Sequence, residues 1–323
     1  MTIATPFSIA VCCLATLTTL TLAPVAAADT TLAPDAVADE VTALDGTIVW
    51  ISGTFGDQVL MQRSPAGIIA RVRGAPHAKA YRTIDLGHDR KNRLVLTYER
   101  CKTASSCKPF LDNLKGTRSS YKHLTIKRCE VATAPAVWRA RLAYGLLCRK
   151  PNHQRDDARS GLYVRNGTQS PRRMRMPKDA KKFGVTGISS VDMRGTRVAA
   201  IASDIYEYAF TEQVDETGLR SVFSAASEGD SDEHTTGLAL GAGGAMWALT
   251  DAEHAGDPNQ ARILRVAGTC YDLEALVNPA GPDQENGYLA TDLAVDGATL
   301  YLVVPGTGIV QHPFAPQGAC TPL

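Results

Sequence analysis

The stretch LDGTIVW, residues 44–50, carries the pattern that decides the fold: an apolar residue, a tight Asp-Gly turn, then an apolar run rich in β-branched residues. It returns as DLGHDRKNRLVLTY at 85–98, VDMRGTRVAAIA at 191–202, LALGAGGAMWALT at 238–250 and DLAVDGATLYLVV at 292–304. Short apolar runs between Gly, Asp and Pro read as strands joined by tight turns, because Gly accepts the positive φ that a short hairpin demands. Recurrence of such a phrase means stacked copies of one supersecondary unit. Aligned on Asp45, Asp89, Asp192, Gly243 and Asp296, the copies stand 44, 103, 51 and 53 residues apart. The 103-residue gap holds two units, and AVWRARLAY at 136–144 is the degenerate copy inside it.

Six units of four strands predict an all-β, six-bladed β-propeller, with seven blades as the alternative count. The last repeat, ATLYLVV at 298–304 and GIVQHPF at 308–314, falls short of four strands. The first strand, near residues 47–51, or the leader before it, is expected to complete that blade and close the ring.

The ends of the chain are read by composition. Residues 1–28 contain no Asp, Glu, Lys or Arg, hold an apolar stretch at 7–22, and finish in PVAAA with small residues before a cut after Ala28. That pattern resembles a secretory signal peptide, although it lacks a positive n-region. Residues 29–40 (DTTLAPDAVADE) are polar and Ala/Pro-rich and are expected to be a mobile leader; residues 41–323 are the propeller domain. No later segment is apolar enough to span a membrane, so the expected location is secreted, with cell-envelope association open. Six cysteines follow the signal, and an even count in an exported chain reads as disulfides. Proximity favours Cys101–Cys107, Cys129–Cys148 and Cys270–Cys320, although other pairings are formally open. A metal reading of these cysteines is weak, because no CxxC or zinc-spaced Cys/His pair occurs.

The stretch DLGHDRKNRLVLTYERC at 85–101 resembles a phrase of secreted actinobacterial β-propeller proteins of unknown function, themselves similar to TolB-like and WD-repeat propellers. Asp85, Leu86, Gly87, Asp89, Tyr98, Arg100 and Cys101 match it. The resemblance implies the propeller architecture over most of residues 41–314 and implies no activity.

Charge is the strongest signal after the repeats. The net charge is only +1, but residues 63–182 hold 29 Lys and Arg against 8 Asp and Glu, a net of +21. The rest of the chain holds 5 against 25, a net of −20. Consecutive repeats are adjacent sectors of a disc, so one basic and one acidic sector are expected, a field able to steer charged partners. The densest basic run is PRRMRMPK at 171–178, followed by Lys181 and Lys182. Its candidate binding residues are Arg172, Arg173, Arg175, Lys178, Lys181 and Lys182, and the expected partner is an anionic cell-wall polymer or another protein. Nucleic acid is not expected, because aromatic residues for base stacking are sparse near the run. A solvated loop between blades is the plainer reading of the same residues.

In the acidic run EGDSDEH at 228–234, Asp230 and Asp232 are weak candidates for a metal. Calcium is the one cofactor considered, but the run lacks the glycine and the closing glutamate of an EF-hand loop. No cofactor is otherwise expected. Sequences of the types GxSxG, HExxH and the P-loop do not occur. The seven histidines are scattered through expected turns, and SVDMRG at 190–195 departs from the sialidase Asp-box by one residue. Trp50, Trp138 and Trp247 start strands and are expected to pack between blades. The reading that follows is a secreted, non-enzymatic binding or scaffold module. The alternative is a hydrolase or lactonase-like enzyme with a metal in the central channel, which would need three or four ligating side chains converging on the axis.

Overall fold

The computed structural model describes residues 29–103, 106–121, 124, 126–174, 187–203, 207–213, 220–225, 233–252, 261–268, 270–276, 290–316 and 318–322. The protein is a β-propeller. A short strand β1 (Thr30–Pro34) comes first. The first meander follows, with β2 (Ala38–Leu44), β3 (Thr47–Ser52), β4 (Val59–Arg63) and β5 (Ile69–Arg71). The second contains β6 (Ala80–Asp89), β7 (Leu94–Thr103), β8 (Ser106–Asp112) and β9 (Arg118–Ser120). The third has an interrupted inner strand, β10 (Cys129–Val131) and β11 (Ala136–Arg139), then β12 (Arg141–Cys148), β13 (Gly161–Asn166) and β14 (Arg172–Arg173). The fourth contains β15 (Gly187–Arg194), β16 (Arg197–Ser203), β17 (Glu207–Gln213) and β18 (Arg220–Ala225). In the fifth are β19 (Glu233–Leu240), β20 (Met246–Ala252), β21 (Arg262–Ala267) and β22 (Cys270–Ala275). The sixth holds β23 (Asp292–Asp296), β24 (Thr299–Val304) and β25 (Gly308–His312), and a tail strand β26 (Thr321–Pro322) pairs with β22.

Among the described residues the pairing therefore resolves into six antiparallel meanders, each matching one repeat of the sequence. The second and third merge into one nine-stranded sheet, because inner strands β6 and β11 pair in parallel through Trp138–His88 and Arg139–Asp89. The degenerate repeat at 136–144 is β11 and the start of β12, so its weak phrase still builds a meander.

Residues 29–40, expected as a mobile leader, instead carry β1 and the start of β2. Strand β1 pairs antiparallel with β25 and supplies the fourth strand of the sixth meander. Composition concealed it because the strand owes its place to pairing: only Ala33 is fully buried, while Thr30, Thr31 and Pro34 stay exposed.

Each seam between neighbouring meanders has its own apolar cluster. Leu44, Ile51 and Leu60 meet Tyr81, Leu86 and Tyr98 at the first seam, and Val95 meets Val137, Leu142 and Tyr144 at the second. Ala143 and Leu162 meet Ile188 and Val198, Ile201 meets Leu240 and Met246, and Leu249 meets Leu293 and Leu302. The ring closes where Val41, Ile48 and Trp50 pack on Ala33, Ala294, Val303 and Ile309. Sheet residues alternate faces, so among the described residues the apolar side chains of the inner strands serve the seams on both sides. Trp50 and Trp247 are buried in these seams as expected. Trp138 is half-buried and meets the His88 ring edge-to-face at 4.9 Å.

All three disulfides expected from proximity are present: Cys101–Cys107 between paired strands β7 and β8, Cys129–Cys148 between β10 and β12, and Cys270–Cys320 between β22 and the tail.

Candidate functional site in the central channel

Inner strands β2, β6, β11, β15, β19 and β23 face the axis of the ring. Apart from the short parallel pairing of β6 with β11, their axial N–H groups lie on sheet edges and lack the ladder partners that interior strands have, yet a buried N–H needs an acceptor. The chain supplies side-chain acceptors from the preceding meander. Asp292 Oδ2 on β23 accepts from Val41 N–H on β2 at 2.7 Å. Glu40 Oε2 on β2 accepts from Ile84 N–H on β6 at 3.0 Å, and Thr42 Oγ1 accepts from Leu86 N–H at 3.0 Å. The Asp85 carboxyl on β6 accepts from Val137 N–H on β11. Asp192 Oδ2 on β15 accepts from Leu240 N–H on β19 at 2.5 Å. Four of the six seams are thus stitched by a polar side chain of one inner strand holding the amide of the next, and the seam between β2 and β6 has two such contacts.

The second meander departs from regular pairing at the axis. Its register shifts between Arg82 and Asp85, and Thr83 adopts φ +45°, an unusual backbone for a β-branched residue. Three contacts hold this bulge. Glu40 accepts from the amides of both Thr83 and Ile84, and Thr83 Oγ1 accepts from Ala134 N–H at 2.7 Å. Strain at such a position persists only where surrounding contacts over-determine it.

These carboxyls surround a cavity of about 280 Å³ at one mouth of the channel. Asp39, Glu40, Asp85, Asp192 and Asp292 all line it, with Arg194 as the one cationic side chain in the described lining. Removal from water pushes the Glu40 carboxyl up to about 7; the Thr83 amide opposes the shift and the Asp39 charge adds to it. Removal from water also lifts Asp292 well above the usual carboxylate range, with the Glu40 charge adding to it. Asp85 and Asp192 both rise for the same primary reason and share a hydrogen bond between their carboxyl groups. Behind Glu40, Glu99 is buried on β7 and is likewise pushed up to about 7 by burial, then by the Glu40 charge.

Arg194 reaches from β15 across the axis. Its Nη2 donates to Ala43 O on β2 at 3.1 Å and to Val295 O on β23 at 2.9 Å. It sits at the boundary between the acidic cavity and a second cavity of about 590 Å³ at the opposite mouth. Hairpin turns and the half-buried face of Trp138 line that second mouth, where His88 Nε2 contacts Asp45 Oδ2 at 2.8 Å.

The expected site residues are not brought to this channel. Arg172 is exposed on β14, the outermost strand of the third meander. Arg173, beside it, is bound into its own meander: Nε, Nη1 and Nη2 donate to Ser160 O, Ala158 O and Asp157 O at 2.8, 2.8 and 3.0 Å. Arg175, Lys178, Lys181 and Lys182 lie outside the described residues, as do Asp230, Asp232 and the signal-like residues 1–28. Among the described residues, no group of three or more His, Cys, Asp and Glu side chains is arranged to hold a metal ion. The channel carboxyls are what the sequence reading missed. Their signal was a lone acid at the head of an otherwise apolar run, as in Asp85-Leu86-Gly87 and Asp292-Leu293-Ala294.

No family model matches this chain, and no curated protein matches it. Solved structures do. A gluconolactonase from Xanthomonas campestris is 14% identical with a TM-score of 0.50, over 88% of this chain and 89% of that one. A puromycin hydrolase is 12% identical with a TM-score of 0.49, over 85% of this chain. The β-propeller domain of the Trilobed protease from Pyrococcus furiosus is 9% identical with a TM-score of 0.48, over 87% and 83%. The chain matches 51% and 48% of the length of the puromycin hydrolase and of a puromycin-hydrolyzing peptidase from Mycobacterium tuberculosis. At 14% identity the likeness to the gluconolactonase shows the fold alone and nothing about activity.

Proposed function

We propose that this chain is a secreted, non-enzymatic β-propeller binding or scaffold module that contacts an anionic cell-envelope polymer through its basic sector. The observation that carries this reading is the segregation of charge around the ring. Residues 63–182, with their net charge of +21, run from the end of β4 through β14, and so cover the second and third meanders. Cations stand exposed on their outer strands, at Lys108 on β8, Arg118 on β9 and Arg172 on β14, next to Arg71 on β5. One of these cations is held in place: the Arg118 guanidinium lies 5.3 Å from the Phe110 ring centroid, with the half-buried Arg100 of β7 at 4.9 Å from the same ring. Fixed cations on adjacent sheets suit a repeating polyanion, which meets many of them at once.

Export is supported by the signal-like residues 1–28 and by three disulfides, which persist in oxidising compartments. Among the described residues, no helix is long and apolar enough to cross a membrane. A binding role is favoured over chemistry because the channel carboxyls already accept backbone amides that join the meanders, and so have a structural use.

The test is retention on immobilised polyphosphate as a function of salt. A variant combining Arg172→Ala, Lys178→Ala, Lys181→Ala and Lys182→Ala, which leaves the Arg173 clamp intact, should elute at lower salt with a shallower salt dependence. Unchanged elution of a folded variant rejects the surface.

A further inference from the structure

We propose that the acidic mouth of the channel binds a small organic cation, with its primary ammonium group seated between the carboxyls of Asp85 and Asp192. The two side chains come from β6 and β15, two meanders apart, and meet across the axis. Asp192 is anchored by the Leu240 amide and Asp85 by the Val137 amide. Asp85 is only 6% exposed, lines the cavity, and its Oδ2 has no hydrogen-bond donor among the described residues. Two carboxylates in contact are two acceptors, so the pair is stable only with a proton or another cation between them. Burial raises both carboxyls toward holding a proton in that role, while the nearby Arg194 charge opposes the rise.

The surroundings favour an ammonium group as its replacement. Asp39, Glu40 and Asp292 add three more carboxyls to the same cavity. Arg194 faces them, but its Nη2 is committed to the carbonyls of Ala43 and Val295. Arg82 on β6 partly offsets Glu40 and Glu99 and is exposed on the surface. A divalent metal needs several oxygens converging at fixed distances, and no such group exists among the described residues. An ammonium has three rotatable N–H donors and tolerates a looser set of acceptors. The hydroxyls of Ser189, Ser190 and Thr236 also line the cavity and suit the polar remainder of such a molecule. A volume of about 280 Å³ fits a short diamine or an amine of similar size.

Binding is a balanced exchange at the pair: the seated ammonium brings one positive charge as R–NH₃⁺ and the pair releases its proton to solvent, while a second ammonium stays among the cavity's other carboxyls. Calorimetric titration of the full chain with 1,4-diaminobutane, in two buffers of different ionisation enthalpy, tests this. The expected result is saturable binding with proton release, and an affinity that rises with pH as the pair gives up its proton more readily. Neutral 1,4-butanediol should not bind. Asp85→Asn and Asp192→Asn should each weaken diamine binding by at least about tenfold. Should either variant fail to fold, proton release by the unaltered chain decides the matter alone. Absence of saturable binding, binding without proton release, equal binding of the diol, or calcium binding that the diamine does not displace would each overturn the proposal.

Discussion

His312 Nδ1 lies 2.7 Å from Asp29 Oδ1, joining residues 283 positions apart at the point where the ring closes. The other face of the ring, Nε2, is 3.2 Å from Glu274 Oε1 on β22. One imidazole thus connects the entry to β1, the end of β25 and the fifth meander. Burial lowers its proton affinity, but the hydrogen bonds and charges of Glu274 and Asp29 outweigh that and raise it above the ordinary 6.5. A raised folded-state value means that the charged latch contributes fully below the unfolded value and is lost as pH rises through the folded one. Urea denaturation should therefore show stability falling from about pH 6.5 upward, and His312→Ala should remove that slope and cost about 1–3 kcal/mol at pH 6. A variant with the same pH profile as the parent would dismiss the latch.

Gly87 sits where β6 meets β11, and a Cβ built there overlaps the Val137 carbonyl oxygen. The neighbour is backbone in a paired strand and cannot turn aside. Gly87→Ala should destabilise the protein by about 3 kcal/mol or more, read from chemical denaturation. A loss under about 0.5 kcal/mol would show that the second and third meanders are not held this closely.

Glu40 couples the first two meanders and titrates near 7 instead of the ordinary 4.5. The folded protein therefore binds a proton more tightly than the unfolded chain, so this group lowers stability as pH climbs from about 4.5 to about 7. Glu40→Gln keeps an oxygen for the Thr83 and Ile84 amides and removes the charge. The variant should lose about 1–2 kcal/mol less than the parent over that interval, after allowing for water at the channel mouth. Parallel curves would place Glu40 in ordinary solvent.

The three disulfides close loops of different length, with sequence separations of 6, 19 and 50. A crosslink restricts the unfolded chain more as its loop lengthens. Paired Cys→Ser variants should lose stability in the order Cys270–Cys320, then Cys129–Cys148, then Cys101–Cys107, with about 2–4 kcal/mol for the middle pair. Denaturation midpoints of the three variants check the ranking, and a reversed order would mean that native contacts, not chain entropy, dominate.

Much of the fold was legible in the chain. The turn phrases around Gly46, Gly195 and Gly297 each mark the hairpin between the first two strands of a meander, because a tight turn favours Gly at a positive φ, whereas Asp192, aligned with Asp45 in the repeat, lies inside β15. Gly243 sits in the corresponding turn of the fifth meander with φ +74°. Disulfide pairing was legible because the shortest loops also join paired strands. β1 has no alternating pattern of its own, because it is an edge strand with one buried side chain, but the short last repeat pointed to the leader as one of two segments able to complete the sixth meander, and the leader does so.

Local sequence determined the strands, the turns, the repeat and the division of charge along the chain, since each depends on neighbours a few residues away or on simple order. Only tertiary structure decided that Asp85 meets Asp192, that Arg194 spans the axis, and that Arg173 serves its own loop carbonyls. A ring brings together side chains about a hundred or more positions apart, and an acid at the head of an apolar run looks the same in sequence whether it faces water, an amide or another acid. The packing of inner strands around a narrow axis makes that choice, by removing water and leaving each edge amide one acceptor within reach.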